Sequence, residues 1–408
     1  MAIYKQLSGI LAIGLVLPWY HQAPWLSALP VGAPFIGAMM SVFIIMIMVV
    51  IAASAGRVCY IYSEASVRVY MLSISYMLLV ISSSLFSLDY SSDASRLFRF
   101  LATQTALAGL IVIVPVVVHP TYFKTIMWLT SWLLVLPVAT LWLDWATGSN
   151  RASGWLADNP NYAAHKALPI ALFFLTLLVE GIARREKTNL FLVAFASLIV
   201  LPGLIMTGSG AASTAFAVAF LVYLLLRGVS LRRAIIEKKI VSVAIAAVFV
   251  LAALFAFSEP GAKVVDRMSA GIEEVRGEAV TGSKSDITTR LERDLGVISR
   301  YEEWGLLGVG PGMSVYALDT GNSHNNYLQA WAEIGVLGVG VLVTLVLAVL
   351  LIPSQTAEVT ALRVAVFGIA VHMLALGGHL ITSSFALFSV LLLLGHLWER
   401  DVARRYDI

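Results

Sequence analysis

The chain has 408 residues, of which 59% are apolar and only 12% charged, and its mean hydropathy is +0.88. An ordinary soluble domain carries about 25% charged residues; the deficit here runs along the whole length, which excludes a soluble enzyme on a single anchor. The net charge of +3 is small and gives no pointer to nucleic acid, and the lone Cys59 excludes an intramolecular disulfide framework or a cysteine zinc site.

A helix needs roughly 20 apolar residues to cross a bilayer. Taken in chain order, the apolar runs predict twelve spans, near 7–20, 34–55, 68–88, 97–118, 123–144, 161–183, 188–206, 211–227, 239–258, 333–353, 361–378 and 380–397. The first run, Leu7–Leu17, lacks a small-residue cleavage site and is followed by further spans, so it reads as a span and not a signal peptide. An even number of spans puts both termini on one side. The termini and the loops on their side hold sixteen cations: Lys5, Arg57, Arg68, Lys124, Arg184, Arg185, Lys187, Arg227, Arg232, Arg233, Lys238, Lys239, Arg363, Arg400, Arg404 and Arg405. The short opposite loops hold four: Arg96, Arg99, Arg151 and Lys166. The positive-inside rule then places both termini in the cytoplasm. The expected fold class is an all-α polytopic membrane protein: nine spans over 1–258, a helical loop on the far side over 259–332, and three spans with a cytoplasmic tail over 333–408.

The long loop carries Lys263, Arg267, Arg276, Lys284, Arg290, Arg293 and Arg300. Orientation rules are weak for long loops, so these cations do not disturb the topology. Helices are predicted over 263–278 and 286–304, the second capped by Ser285 or Asp286 and stopped by Gly308, Gly310, Pro311 and Gly312. At 100° per residue, Ile287, Leu291, Leu295 and Ile298 share one face, with Arg290, Arg293 and Arg300 on the opposite one. The apolar face can pack on the bundle or on the membrane surface. Three guanidinium forks on one stripe suit phosphate oxygens, whereas a merely solvated face would pair them with Glu292, Glu303 or Asp294.

Next comes Gly308-Val-Gly-Pro-Gly312, then Ser323-His-Asn-Asn-Tyr-Leu-Gln-Ala-Trp-Ala-Glu-Ile-Gly335. Asn322 or Ser323 can cap a helix that starts at His324 and runs into the tenth span. A helix N-terminus disfavours imidazolium, so His324 reads as a neutral base at the membrane boundary, able to take a proton from a hydroxyl nucleophile. The bland alternative is an interfacial histidine bonded to a loop carbonyl. Glu333 lies nine residues on, half a turn out of phase, and is expected to pair with a neighbouring helix. His372 and His379, seven apart on one face, read as an interhelical contact in preference to a proton path. Trp19, Trp25, Trp142 and Trp145 read as interfacial anchors.

The segment 286–340 resembles the C-terminal core of the O-antigen ligase and polymerase superfamily. The likeness lies in Arg290-Leu291, the following amphipathic helix, the Gly308–Gly312 turn, and His324, Asn325, Leu328, Glu333 and Gly335. Two further stretches are similar: Arg151-Ala-Ser-Gly154 with Asn159-Pro160-Asn161, and Thr207-Gly208-Ser209. Many members place an arginine after the last motif, where this chain has Gly210; Lys166 is the candidate substitute. The resemblance implies a GT-C-like glycosyltransferase of the bacterial inner membrane with a periplasmic site. Its donor would be a glycan on undecaprenyl diphosphate and its acceptor lipid A–core. Arg290 and His324 would be catalytic, and Arg151, Lys166, Asn161, Arg293, Arg300 and Asn325 substrate-binding. No Asp-x-Asp occurs in the chain, so neither metal nor cofactor is expected. A single long external loop favours the ligase over the polymerase. A transporter or flippase suits the span number, but the span centres hold almost no ionisable residues for ion coupling.

Overall fold

A computed structural model describes residues 11–13, 15–16, 63–86, 94–149, 151–157, 159–184, 190–237, 286–318, 323–376 and 380–405. The described residues form helices and turns, with no strand among them. Numbered in chain order, the helices are α1 (Glu64–Phe86), α2 (Ala94–Val117), α3 (Phe123–Ala146), α4 (Pro160–Arg184), α5 (Leu190–Met206) and α6 (Gly210–Glu237). They continue as α7 (Asp286–Ser299), α8 (Tyr301–Trp304), α9 (Ser314–Ala317), α10 (Asn326–Leu350), α11 (Ala357–His372) and α12 (Ser383–Arg405). A 3-10 turn, Pro120–Tyr122, leads into α3.

Among the described residues, six helices are long and apolar enough to cross a membrane: Glu64–Leu85, Arg96–Val117, Pro120–Ala146, Pro160–Arg184, Gly210–Arg227 and Asn326–Leu350. The chain is therefore an all-α, multi-pass membrane protein. The expected spans at 34–55 and 239–258, and most of 7–20, lie outside the described residues, as does the expected helix over 263–278. The run at 188–206 forms the 17-residue apolar helix α5.

Helix α1 illustrates the inside-out logic of such a bundle. Val67, Met71, Ile74, Leu78, Ile81 and Leu85 recur every three or four residues and are all exposed, while Ser63, Ser66, Ser73, Tyr76, Ser83 and Ser84 on the other side are buried. In water this would be unstable; against lipid tails the apolar stripe is satisfied and the hydroxyls belong inside. Helices α5 and α6 turn Phe191, Phe195, Leu221, Leu225 and Leu226 outward in the same manner.

The centre is the antiparallel pair α4 and α11, flanked by α5, α6 and α12. Nearly every side chain of α4 from Ala163 to Gly181 is buried, and α11 is buried along most of its length. A helix apolar on all sides belongs in the middle of a bundle. Gly368 sits at a close crossing, where a Cβ would meet Leu172 Cδ1 at 2.1 Å.

Candidate functional site

Helix α10 is broken one-third of the way along. Gly335 has φ +70 and ψ −176, which separates a short initial segment from the rest. A broken membrane helix must find other partners for its backbone groups. Here the loop after α8 supplies them: Val309 N donates to Ala332 O at 2.9 Å, Gly310 N to Glu333 O at 2.9 Å, and Val336 N to Gly305 O at 3.3 Å. The approach leaves no room for side chains. A Cβ on Gly308 would sit 2.4 Å from the Glu333 carbonyl carbon, and one on Gly335 would sit 2.1 Å from Leu306 O.

Glu333 completes the clamp. It is fully buried, and its carboxylate accepts from Gly312 N at 2.8 Å, Ser314 Oγ at 2.7 Å and Gln329 Nε2 at 2.7 Å. Arg96 Nε donates to Gly312 O at 3.0 Å. The sequence predicts a neighbouring helix as the partner of Glu333: Ser314 belongs to α9, and the remaining carboxylate partners are the glycine turn and its own helix, while Ser83 of α1 donates to the Glu333 backbone carbonyl at 2.6 Å. A carboxylate can accept several hydrogen bonds at once, which suits it to pin a loop of outward-pointing amides.

The clamp sets the register of the segment before α10. Asn325 caps this helix, its side chain accepting from Tyr327 N at 2.9 Å and Leu328 N at 3.2 Å. The cap is therefore Asn325 and not Asn322 or Ser323, and His324 precedes the helix instead of starting it. Asp294 on α7 holds this turn, with Oδ1 accepting from Ser323 Oγ at 2.5 Å and from His324 N at 3.1 Å. The His324 ring meets Arg293, with Nη1 to Nε2 at 2.9 Å. A guanidinium has no acceptor, so Nε2 must accept and the ring is neutral. The imidazole, one residue before the cap of α10, thus faces Arg293.

From here a line of polar contacts runs across the bundle. Asn326 N donates to Met373 O at 2.9 Å at the end of α11. The preceding residue, His372, stacks on His165 of α4 with Nδ1 to Nδ1 at 2.9 Å; both rings are buried. Arg290 lies within electrostatic reach of His372. One turn before His165 on α4 is Asn161, whose Oδ1 accepts from Arg151 Nη2 at 2.7 Å. Arg151 Nε also donates to Thr207 O at 3.2 Å, and its side chain lies over Gly208. The Arg151–Gly154 and Thr207–Ser209 stretches are strapped together by Ala152 N to Met206 O. Asp144 fixes the turn by accepting from Ser153 N at 3.0 Å and Gly154 N at 2.8 Å.

Six of the eight residues singled out by sequence lie along this line: Arg151, Asn161, Arg290, Arg293, His324 and Asn325. Lys166 stands beside it, and its Nζ donates to Leu156 O at 2.6 Å, steadying the Arg151 turn. Arg300 goes elsewhere. The helix expected over 286–304 breaks after Ser299. This turns Arg300 toward Glu303, with Nε to Oε1 at 2.8 Å, toward the Ala317 carbonyl and over the Trp304 ring. That local pairing holds the exposed Glu303 carboxyl below its usual range. Gly210 opens α6, with no atom within 4 Å of where a Cβ would lie.

Sequence reasoning missed the roles of Asp294 and Asp144 and the partner of His372. The partner is His165; His379 lies outside the described residues. Asp294 could have been flagged as the acid adjoining Arg293, but no local signal joins two histidines 207 positions apart. Among the described residues no three His, Cys, Asp or Glu side chains converge as metal ligands.

The outer face of α7 is apolar and uncovered: Leu291, Leu295 and Ile298 are 57%, 52% and 45% exposed. The stripe leads to exposed Tyr301 and Leu306, and Leu306 adjoins the kink of α10, where Val336 and Leu337 are exposed on a membrane-crossing helix. Compared with known protein families and with characterised proteins, the chain finds no match.

Proposed function

We propose that this protein is a membrane glycosyltransferase of the O-antigen ligase type. On this reading it takes a glycan from undecaprenyl diphosphate at the periplasmic face of the bacterial inner membrane and joins it to lipid A–core. The observation that carries the reading is a convergence. Three stretches distant in sequence, around Arg151, Arg290–Arg293 and His324, lie at the same end of the α4–α11 pair, Arg151 through Asn161 on α4 and His324 through Asn326 N on Met373 O after α11. Cations oriented by side-chain and backbone oxygens stand there beside a neutral histidine.

The chemistry rests on those roles. Arg290 and Arg151 bind the diphosphate through guanidinium forks, and Asn161 and Thr207 O hold the Arg151 fork in place. His324 takes the proton of an acceptor hydroxyl. The oxygen attacks the anomeric carbon from the face opposite the diphosphate, and the sugar–phosphate bond breaks with its electron pair on the leaving oxygen. The anomeric configuration inverts, and the arginines stabilise the charge that develops on the leaving group. The apolar stripe of α7 supports a site at the membrane surface, where the phosphates of a lipid-linked donor lie.

Reconstitution with lipid-linked glycan and lipid A–core tests the proposal. Product on the core supports the ligase. A longer lipid-linked chain identifies a polymerase, and flipping of lipid without transfer identifies a transporter. Activity is expected to survive EDTA; inhibition reversed by a divalent ion would discard the metal-free mechanism. Orientation is tested by a cysteine placed at position 281, which external reagents should reach in intact cells if both termini are cytoplasmic.

A further inference from the structure

We infer that Arg293 is a catalytic residue of this site: it occupies the lone pair of His324 until a diphosphate takes the guanidinium, and then releases it. The inference rests on the proposed reading of the site as one for a diphosphate-linked donor. It adds a control that the reading does not contain, namely that the base becomes competent only once the donor is bound.

Arg293 Nη1 stands 2.9 Å from His324 Nε2. Arginine can only donate, and a neutral imidazole has one ring nitrogen that accepts. That nitrogen is Nε2, and its lone pair is the one that must receive the acceptor's proton. In this geometry it is already engaged.

Three features make the engagement reversible. Arg293 lies three residues from Arg290 on α7, one turn away, so an anion held by Arg290 comes within reach of Arg293. Arg293 Nε is buried and has no hydrogen-bond partner among the described residues, which leaves that donor directed at none of their oxygens. The His324 backbone is anchored through Asp294 and the Asn325 cap, so the histidine stays in place when the arginine moves. A diphosphate presents several anionic oxygens that can accept two parallel N–H bonds from one guanidinium and carry the opposite charge, whereas an imidazole offers a single neutral acceptor. The guanidinium therefore exchanges imidazole for phosphate. Nε2 is then open to the acceptor O–H: the proton passes to Nε2, the oxygen bonds the anomeric carbon, and the diphosphate leaves still paired with Arg293.

Diethyl pyrocarbonate reads the lone pair directly, because it acylates only an unprotonated, accessible ring nitrogen. The full-length protein in phosphatidylcholine nanodiscs is treated briefly, and the peptide carrying His324 is quantified by mass spectrometry. Slow modification is expected in the wild type. Inorganic pyrophosphate or undecaprenyl diphosphate should accelerate it at least about fivefold. Arg293→Ala should be at least about tenfold faster without ligand, on the scale of one hydrogen bond to a charged group, and should not respond to ligand. Arg293→Lys keeps a donor and should remain slow. Equal rates in wild type and Arg293→Ala overturn the inference, as does slower modification of the wild type with diphosphate. If Arg293→Ala does not fold, the response of the wild type to ligand decides alone. Acceleration by phosphatidylglycerol nanodiscs without added diphosphate also overturns it, since an ordinary headgroup would then release the arginine. Glycan transfer is assayed on the same preparation. Transfer without acceleration removes the inference and leaves the ligase reading; acceleration without transfer to any acceptor removes that reading and leaves an anion-released histidine.

Discussion

The two ends of the α4–α11 pair carry similar charges in opposite ways. At the α4 C-terminus Glu180 is buried, bonded to Arg184 Nε at 2.5 Å, to Arg227 Nε at 2.8 Å and to the Tyr223 hydroxyl at 3.2 Å. Beside it Glu399 accepts from Gln355 N at 3.0 Å and from Thr356 N and Oγ1 at 2.7 and 2.8 Å, and Lys124 pairs with Glu358 at 3.0 Å. At the α4 N-terminus, the bonds that orient Arg151, Lys166 and Arg293 run to Thr207 O, Asn161 Oδ1, Leu156 O and His324 Nε2, all neutral atoms. Charge near a membrane interior is tolerated when it is paired or functional. The first end spends its cations on its own acids and acts as a lock. The second end sets Arg151, Lys166 and Arg293 against backbone and side-chain oxygens and an imidazole nitrogen, contacts that fix where each side chain points.

The largest loss of activity is expected at the second end. His324→Ala should lose about 10²–10⁴-fold in transfer while folded yield and thermal midpoint stay at wild-type values. Arg290→Ala should abolish transfer with the same neutral effect on folding, and Arg290→Lys should restore little, because a point charge does not reproduce a bidentate fork. Wild-type turnover by His324→Ala would remove the base and, with it, the functional half of the contrast.

Glu180→Ala tests the lock. It leaves Arg184 and Arg227 without their shared counter-charge, and breaking a buried pair costs about 3 kcal/mol or more. A lower thermal midpoint in detergent is expected, with unchanged transfer per folded molecule. An unchanged midpoint combined with lost transfer would invert the assignment of the two ends.

A smaller effect is expected at the clamp that joins α10 to the glycine turn. Gly308→Ala forces a side chain into φ +70 against the Glu333 carbonyl, a strain of about 1–3 kcal/mol. Because the clamp sets the register of the segment before α10, stability and transfer should fall together. A stable protein with full activity would show that the turn does not position His324.

The smallest effect is expected at Arg300. Its pairing with Glu303 is exposed, and such pairs contribute little. Arg300→Ala should transfer glycan at close to the wild-type rate, which separates it from Arg293 on the other side of the helix break. Glu303 is depressed by its hydrogen bond to Arg300, so any stabilisation is present above the ordinary carboxylate range and is lost as pH falls through the lowered value. A stability difference between wild type and Arg300→Ala that grew on acidification would contradict this sign.

By itself the sequence determined the features that local periodicity and solvent dictate. Runs of apolar residues must become helices in lipid, because only a helix satisfies its own backbone there; α1 to α4, α6 and α10 were legible on that ground. The arginine side of α7 was legible from the 3.6-residue repeat, and the need for glycine at Gly308 and Gly312 from the turn they must make. The tertiary structure decided everything that depends on a distant partner. It ended α7 at Ser299 and sent Arg300 to Glu303 and Ala317. It moved the cap of α10 to Asn325, because the segment is pinned by Asp294 and Met373 O. It broke α10 at Gly335 so that the freed carbonyls could receive Val309 and Gly310. It joined His165 to His372 where two buried helices cross. None of these contacts repeats along the chain: a helical period states which face a residue occupies, and only packing states what that face meets.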